Sequence, residues 1–154
     1  MLLIDADVVV LQDLAPFVAR WGASTADAVF QPDEPVHGPN TGFAHFRPTP
    51  AAIGLLEAAL AKKYEAHDQV AMRKAISEDN SVRVEYVDAA KFPNGARYWY
   101  NPRPGIHKET DAVRVSYRDN ITRPVIVHNN FLRGAGKKVE RLHRAGLWFV
   151  PGPL

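Results

Sequence analysis

Nothing constrains this chain more than its first ten residues. Leu2-Leu3-Ile4-Asp5-Ala6-Asp7-Val8-Val9-Val10 is apolar almost without a break, and two aspartates alone interrupt it. A Leu, Ile and Val run of this length predicts a buried strand. Side chains at i and i+2 of a strand share a face, so Asp5 and Asp7 would present their carboxylates together. Two adjacent carboxylates between apolar walls are costly unless a cation or hydrogen-bond donors meet them. A divalent metal is one reading of the pair. The other is a polar corner, with Asp5-Ala6-Asp7 turning the chain between two short strands. The spacing by itself is common, and the apolar walls give it its weight. A central strand of a parallel sheet also needs neighbours on both sides. No earlier residues are present to supply parallel strands and crossovers, so residues 1–154 are expected to be the C-terminal part of a larger domain.

The chain's 154 residues suffice for one domain with a core. Hydrophobic residues make up 46%, charged residues 23%, and the net charge is +2 with both signs mixed. That is a globular composition without a nucleic-acid footprint, so a nucleic acid polymer is not an expected partner. Cysteine is absent, which excludes disulfides and thiolate metal sites. No apolar run reaches membrane-spanning length and no signal peptide precedes the core, so no membrane contact is expected from this chain itself. The single sequon, Asn120-Ile121-Thr122, is close to a chance occurrence.

Asp13 is placed to cap a helix through Trp21, with Gly22 ending it. Asp27 to Phe30 reads as a strand. Gln31 to Asn40, with Pro32, Pro35, Gly38 and Pro39, reads as a loop. Asn40 to Phe46 leads into a strand in which Gly42 permits a close backbone approach. Thr49-Pro50 opens a helix to about Tyr64 with Ile53, Leu56 and Leu60 on its core stripe. A second helix runs from about His67 to Ile76. Val82–Val87, Val113–Tyr117 and Pro124–His128 read as strands, and Phe92–Gly95 as a turn. Tyr98–Pro104 reads as an ordered loop or short edge strand. A last helix follows Gly134-Ala135-Gly136. The order is α/β, in one domain or part of one.

Three apolar strands end in polar clusters: Asp5-Ala6-Asp7, Asn40-Thr41-Gly42 and His128-Asn129-Asn130. Open α/β sheets bind ligands beyond the carboxyl ends of their strands. Carboxylates with an imidazole suit Mn²⁺ better than Mg²⁺, which prefers oxygen alone. Past Gly134, Lys137 and Lys138 near a helix start make a candidate anion site. A metal beside an anion site suits a nucleotide diphosphate. Taken singly, each residue has a plainer reading. Asp68 and Gln69 suit the first turn of a helix. His128 suits a core histidine, and Lys137 and Lys138 a solvated helix face.

The order of these motifs resembles the nucleotide-diphospho-sugar transferase family. It runs Leu-Leu-Ile-Asp-Ala-Asp-Val-Val-Val, Asn-Thr-Gly-Phe, Arg47-Pro48-Thr49, His67-Asp68-Gln69, Phe92-Pro93-Asn94-Gly95, His128-Asn129-Asn130-Phe131 and Ala145-Gly146-Leu147-Trp148. The resemblance covers nearly the whole chain and is to retaining GT-A-fold glycosyltransferases of family 77 type, related to family 8. It implies a Rossmann-like GT-A fold entered at the D-x-D strand. It implies sugar transfer from a nucleotide-diphosphate donor, UDP-linked, to a glycan or glycoprotein acceptor with retention. By the same resemblance Asp5, Asp7 and His128 hold Mn²⁺ (or Mg²⁺), which acts as a Lewis acid on the diphosphate. Lys137 or Lys138 meets that diphosphate, and Asn40, Thr41 and Gly42 line the donor sugar. Asp68 and Gln69 stand at the reacting face. The family's second acid or asparagine after the Asp-Gln pair is missing here, where Val70-Ala71-Met72-Arg73 follow. Its nucleotide-binding half before the D-x-D strand is missing too. The resemblance implies a Golgi lumenal location. Two rivals stand beside this reading: a truncated, catalytically incompetent or partner-dependent module, and an unrelated Asp/His metallohydrolase, for which the sequence offers no motif.

Overall fold

The computed structural model describes residues 1–33, 38–64, 66–99 and 123–149. Two short strands, β1 (Leu2–Ile4) and β2 (Val8–Val10), stand where one long strand was expected. Between them the chain turns, with Val8 N–H donating to the carbonyl of Asp5 at 3.1 Å. The polar-corner reading therefore holds for the backbone. At a turn both carboxylates remain within reach of water and donors, whereas a buried strand would isolate them. Nor is β1 a central parallel strand. It pairs antiparallel with β4 (Pro39–Phe46), its one strand neighbour among the described residues. Leu3 and Ile4 stay 44% and 37% exposed.

The main sheet adds β3 (Ala28–Pro32) and β5 (Val84–Tyr86), in the order β1-β4-β3-β5. The β3–β4 pair is antiparallel and the β3–β5 pair parallel. β2 pairs antiparallel with β6 (Ile126–His128) in a second, two-stranded sheet. Buried along its whole length, β4 alternates between two cores. Ala44 and Phe46 join Ala28 and Phe30 against α2 (Pro50–Ala61) and α3 (Asp68–Glu78). Phe43 joins Val29 and Phe92 around Trp21 of α1 (Ala15–Ala23). A third cluster gathers Val127 with Tyr98 and Trp99 of α4 (Gly95–Trp99) and Leu142 of α5 (Ala135–Arg144).

Several local expectations change. α1 runs through Gly22 to Ala23, with Leu14 at its N-cap, and Asp13 accepts from Ala15 N–H at 2.9 Å. Thr49 caps α2 by accepting from Ala52 N–H at 3.2 Å. The α2 stripe is Ala52, Leu55 and Ala59, while Ile53 and Leu60 are exposed. Small residues there let α2 sit close to Ala75 and Met72 of α3, so bulk was a poor guide to the buried face. The Gln31–Asn40 loop is narrower than its prolines suggested, since Pro32 and Pro39 pair across a hairpin. Tyr98 and Trp99 are helical. The remainder of the expected 98–104 segment, the Val113–Tyr117 strand and the sequon lie outside the described residues. Among the described residues no helix is long and apolar enough to cross a membrane.

Buried Asp27 ties three segments together. One carboxylate oxygen accepts from Thr49 Oγ1 at 2.9 Å and the other from Arg83 N–H at 3.0 Å. The backbone hydrogen bond from Arg83 is the leading cause that holds this carboxyl below its usual range, against the opposing effect of burial. A depressed native pKa adds stability that is present above the unfolded value and lost as pH falls through the folded one. Asp27→Ala is expected to lower the unfolding free energy by about 2 kcal/mol near neutrality. In urea titrations the gap from the parent protein should close as pH drops below about 4. A gap that stays constant down to acid unfolding would contradict this.

Candidate functional site

Chain crossings bring Asp5, Asp7 and His128 together. The turn after β1 carries the two aspartates, and His128 ends β6. The backbone locks both sides of the turn: Asp5 N–H donates to Gly42 O at 2.8 Å, and Asn129 N–H to Asp7 O at 2.8 Å. His128 Nε2 lies 3.4 Å from an Asp7 oxygen and 3.9 Å from an Asp5 oxygen. One ligand atom from each of the three residues falls within 4.8 Å of the others.

Gly42 is what makes the convergence possible. A Cβ at this position would fall on the imidazole of His128 and the carboxylate of Asp5. The close approach expected of this glycine is therefore to the two residues that face the cleft, and the space a side chain would occupy is the space they share.

Gln31, wholly buried, sets the chemistry of the histidine. Its Nε2 donates to the Phe92 carbonyl at 3.0 Å, which points Oε1 at His128 Nδ1, 2.7 Å away. An amide oxygen only accepts, so Nδ1 carries the proton and Nε2 keeps a lone pair toward the carboxylates. A fixed tautomer of this kind is how proteins prepare an imidazole as a ligand. Two hard carboxylates, an aimed imidazole nitrogen and a void kept open by glycine fit a divalent cation.

A lysine stands beside the same pocket. Lys138, in the first turn of α5, places Nζ 2.5 Å from an Asp7 oxygen. Burial pushes the Asp7 carboxyl up, but its close contacts with His128 and Lys138 outweigh that and hold it far below its usual range. Asn129 fixes the helix, its Nδ2 donating to the Lys138 carbonyl at 2.8 Å. Lys137 is exposed and Lys138 lines the cleft. Of the two lysines that sequence left open, Lys138 is the one beside the carboxylates.

The same cleft is lined by Asn40, Thr41, Asp68 and Gln69. Asn40 Oδ1 accepts from Gly42 N–H at 3.0 Å, and Thr41 Oγ1 donates to Asp68 at 2.9 Å. Asp68 and Gln69 do sit in the first turn of α3, as their plainer reading had it, and that turn opens into the cleft. All ten residues singled out from sequence are thus described, and nine of them line one cleft; Lys137 does not. Gln31 and Asp33 were missed, because prolines at 32 and 35 marked their segment as a loop. The available signal was alternation: Gln31 continues the strand face of Val29, where a buried polar side chain needs a partner.

The chain matches the nucleotide-diphospho-sugar transferase family model over residues 1–142. It is similar to the UDP-galactose:fucoside alpha-3-galactosyltransferase of Dictyostelium discoideum, 32% identical over 71 residues that cover 46% of this chain and 9% of that protein. It is also similar to the UDP-D-xylose:L-fucose alpha-1,3-D-xylosyltransferase 3 of Arabidopsis thaliana, 32% identical over 90 residues, 54% of this chain and 19% of that one. The chain therefore spans less than a fifth of either relative. No solved structure matches it.

Proposed function

Because the chain belongs to the nucleotide-diphospho-sugar transferase family, we propose that its cleft carries the metal and leaving-group side of a UDP-sugar glycosyltransferase. The observation that carries this reading is the convergence of Asp5, Asp7 and His128 beside the Lys138 ammonium. Asp5, Asp7 and His128 would hold a divalent cation, Mn²⁺ for its tolerance of mixed oxygen and nitrogen ligands, and the ion would supply Lewis-acid neutralisation of a diphosphate. Lys138 adds a positive charge to the same wall, where negative charge develops as a sugar leaves its diphosphate. Asn40, Thr41 and the backbone of Gly42 offer polar groups to the donor sugar. Gln69 and Asp68 bring an amide oxygen and a carboxylate to the face where the sugar carbon becomes electron-poor.

Both relatives are named for transfer to fucose or a fucoside. We take UDP-galactose and UDP-xylose as donors and a fucosyl group on a glycan or glycoprotein as acceptor, with retention of the anomeric configuration. The reaction belongs in the Golgi lumen, where glycans of this kind are extended. Residues 1–154 form one transferase unit in this reading, working with a nucleotide-binding half of the kind the family places before the D-x-D strand.

Titration of UDP with Mn²⁺, followed by transfer to methyl fucoside with proton NMR of the product, tests the proposal. UDP is expected to bind only with the metal present, and Lys138→Ala to weaken it about tenfold or more. Metal-independent UDP binding that ignores Lys138→Ala would overturn the reading.

A further inference from the structure

Asp33 belongs to none of the motifs, yet three side chains converge on its buried carboxylate. Oδ2 accepts from Gln69 Nε2 at 2.6 Å and lies 3.5 Å from Arg73 Nη2. Oδ1 accepts from Asn40 Nδ2 at 3.3 Å. Its own N–H is bonded to Gly38 O at 2.8 Å, so the group has little freedom to turn away. Asn40 and Gln69 line the cleft; Asp33 does not.

From this arrangement we infer that Asp33 is a positioning residue that decides which atom each of the two amides shows to the donor sugar. A carboxylate can only accept. It therefore takes the nitrogen of Gln69 and leaves Oε1 as the group offered to the cleft. By the same logic it takes the nitrogen of Asn40 and leaves Oδ1 on Gly42 N–H, where it holds the backbone that passes His128. Without the carboxylate either amide could rotate by half a turn and present a donor where an acceptor is needed. Burial raises the Asp33 carboxyl above its ordinary value, and the hydrogen bonds from Asn40 and Gln69 and the charge of Arg73 oppose that rise.

Asn at this position has the same shape but one acceptor and one donor. In either orientation its NH₂ meets a donor, Asn40 on one side or Gln69 and Arg73 on the other, so one amide has to turn. The inference rests on the transferase reading for what the amides do, but not for how they are held, and its test has two parts accordingly.

The first part is the side-chain amide spectrum of the isotopically labelled protein, with the Gln69 signal identified by its loss in Gln69→Ala. In the parent protein the Gln69 amide protons are expected downfield of free glutamine and slow to exchange. In Asp33→Asn they or those of Asn40 should move to free-amide positions. A free-amide Gln69 signal in the parent protein overturns the inference even should Asp33→Asn fail to fold, and unchanged Gln69 and Asn40 signals in a folded Asp33→Asn overturn it equally. The second part is transfer from UDP-galactose or UDP-xylose to methyl fucoside. Asp33→Asn is expected to lower kcat by about 10- to 100-fold with the donor KM little changed. In a Gln69→Ala background the same substitution should cost far less, because the group it positions is gone. An equal loss in both backgrounds would mark Asp33 as merely structural. A parent protein without transfer defeats the transferase reading and leaves the amide spectrum to decide the inference.

Discussion

Asp7→Ala is expected to abolish Mn²⁺ binding and to lower sugar transfer by about a thousandfold or more. Asp7 has more at stake than Asp5. It is half-buried where Asp5 is exposed, it lies nearer His128, and it meets Lys138 at 2.5 Å. Removing it takes away one carboxylate and also releases Lys138, which loses the group that keeps it over the cleft. The metal effect is read directly from the electron paramagnetic resonance of Mn²⁺ titrated with protein, and the transfer effect from product formation at saturating metal. Asp13→Ala is the control. Asp13 is also a carboxylate on the first stretch of chain, but it lies outside the cleft and accepts from Ala15 N–H at the start of α1, so binding should be unchanged. Mn²⁺ binding retained by Asp7→Ala would remove the centre from the place described.

The second large effect comes from a single methyl group. Gly42→Ala would place a Cβ against the His128 imidazole and the Asp5 carboxylate. The backbone cannot back away without cost, since Gly42 O accepts from Asp5 N–H at 2.8 Å and Gly42 N–H donates to Asn40 at 3.0 Å. Overpacking of this kind costs about 1–3 kcal/mol of stability. Metal affinity should fall by about 100-fold, as the two ligand side chains are pushed from their shared space. Gly54→Ala gives the opposite sign. Nothing lies within 4 Å of a Cβ there, and the residue is inside α2. That substitution is expected to raise stability by about 0.5–1 kcal/mol and leave metal binding alone. Thermal unfolding with and without Mn²⁺ separates the two outcomes, and a Gly42→Ala protein that gains as much as Gly54→Ala would contradict the packing argument.

The site was more legible than the strands that carry it. Asp5 and Asp7 stood out because they interrupt an apolar run and His128 because it ends one, and a polar residue in such a place needs a partner in any fold; Gly42 stood out as a glycine within a strand. The strand itself was misjudged for the same reason: two carboxylates broke the run where hydrophobicity predicted continuity, and β1 and β2 went to different sheets. On α2 the larger side chains Ile53 and Leu60 drew the expected face, whereas close packing selected Ala52 and Ala59. Gln31 and Asp33 act through partners 97 and 36 residues away, His128 and Gln69, and no local pattern encodes such a pairing.

The Asp7–Lys138 pair joins positions 131 residues apart, nearly the two ends of the described chain. Cysteine-free, the protein has no covalent means of fastening those ends. A cross-link over so long a loop removes more freedom from the unfolded chain than one over a short loop. Any ligand that needs both ends at once acts as such a fastener, reversible and set by concentration. The cleft is thus also the clasp of the fold: filling it holds the first turn and the last helix together.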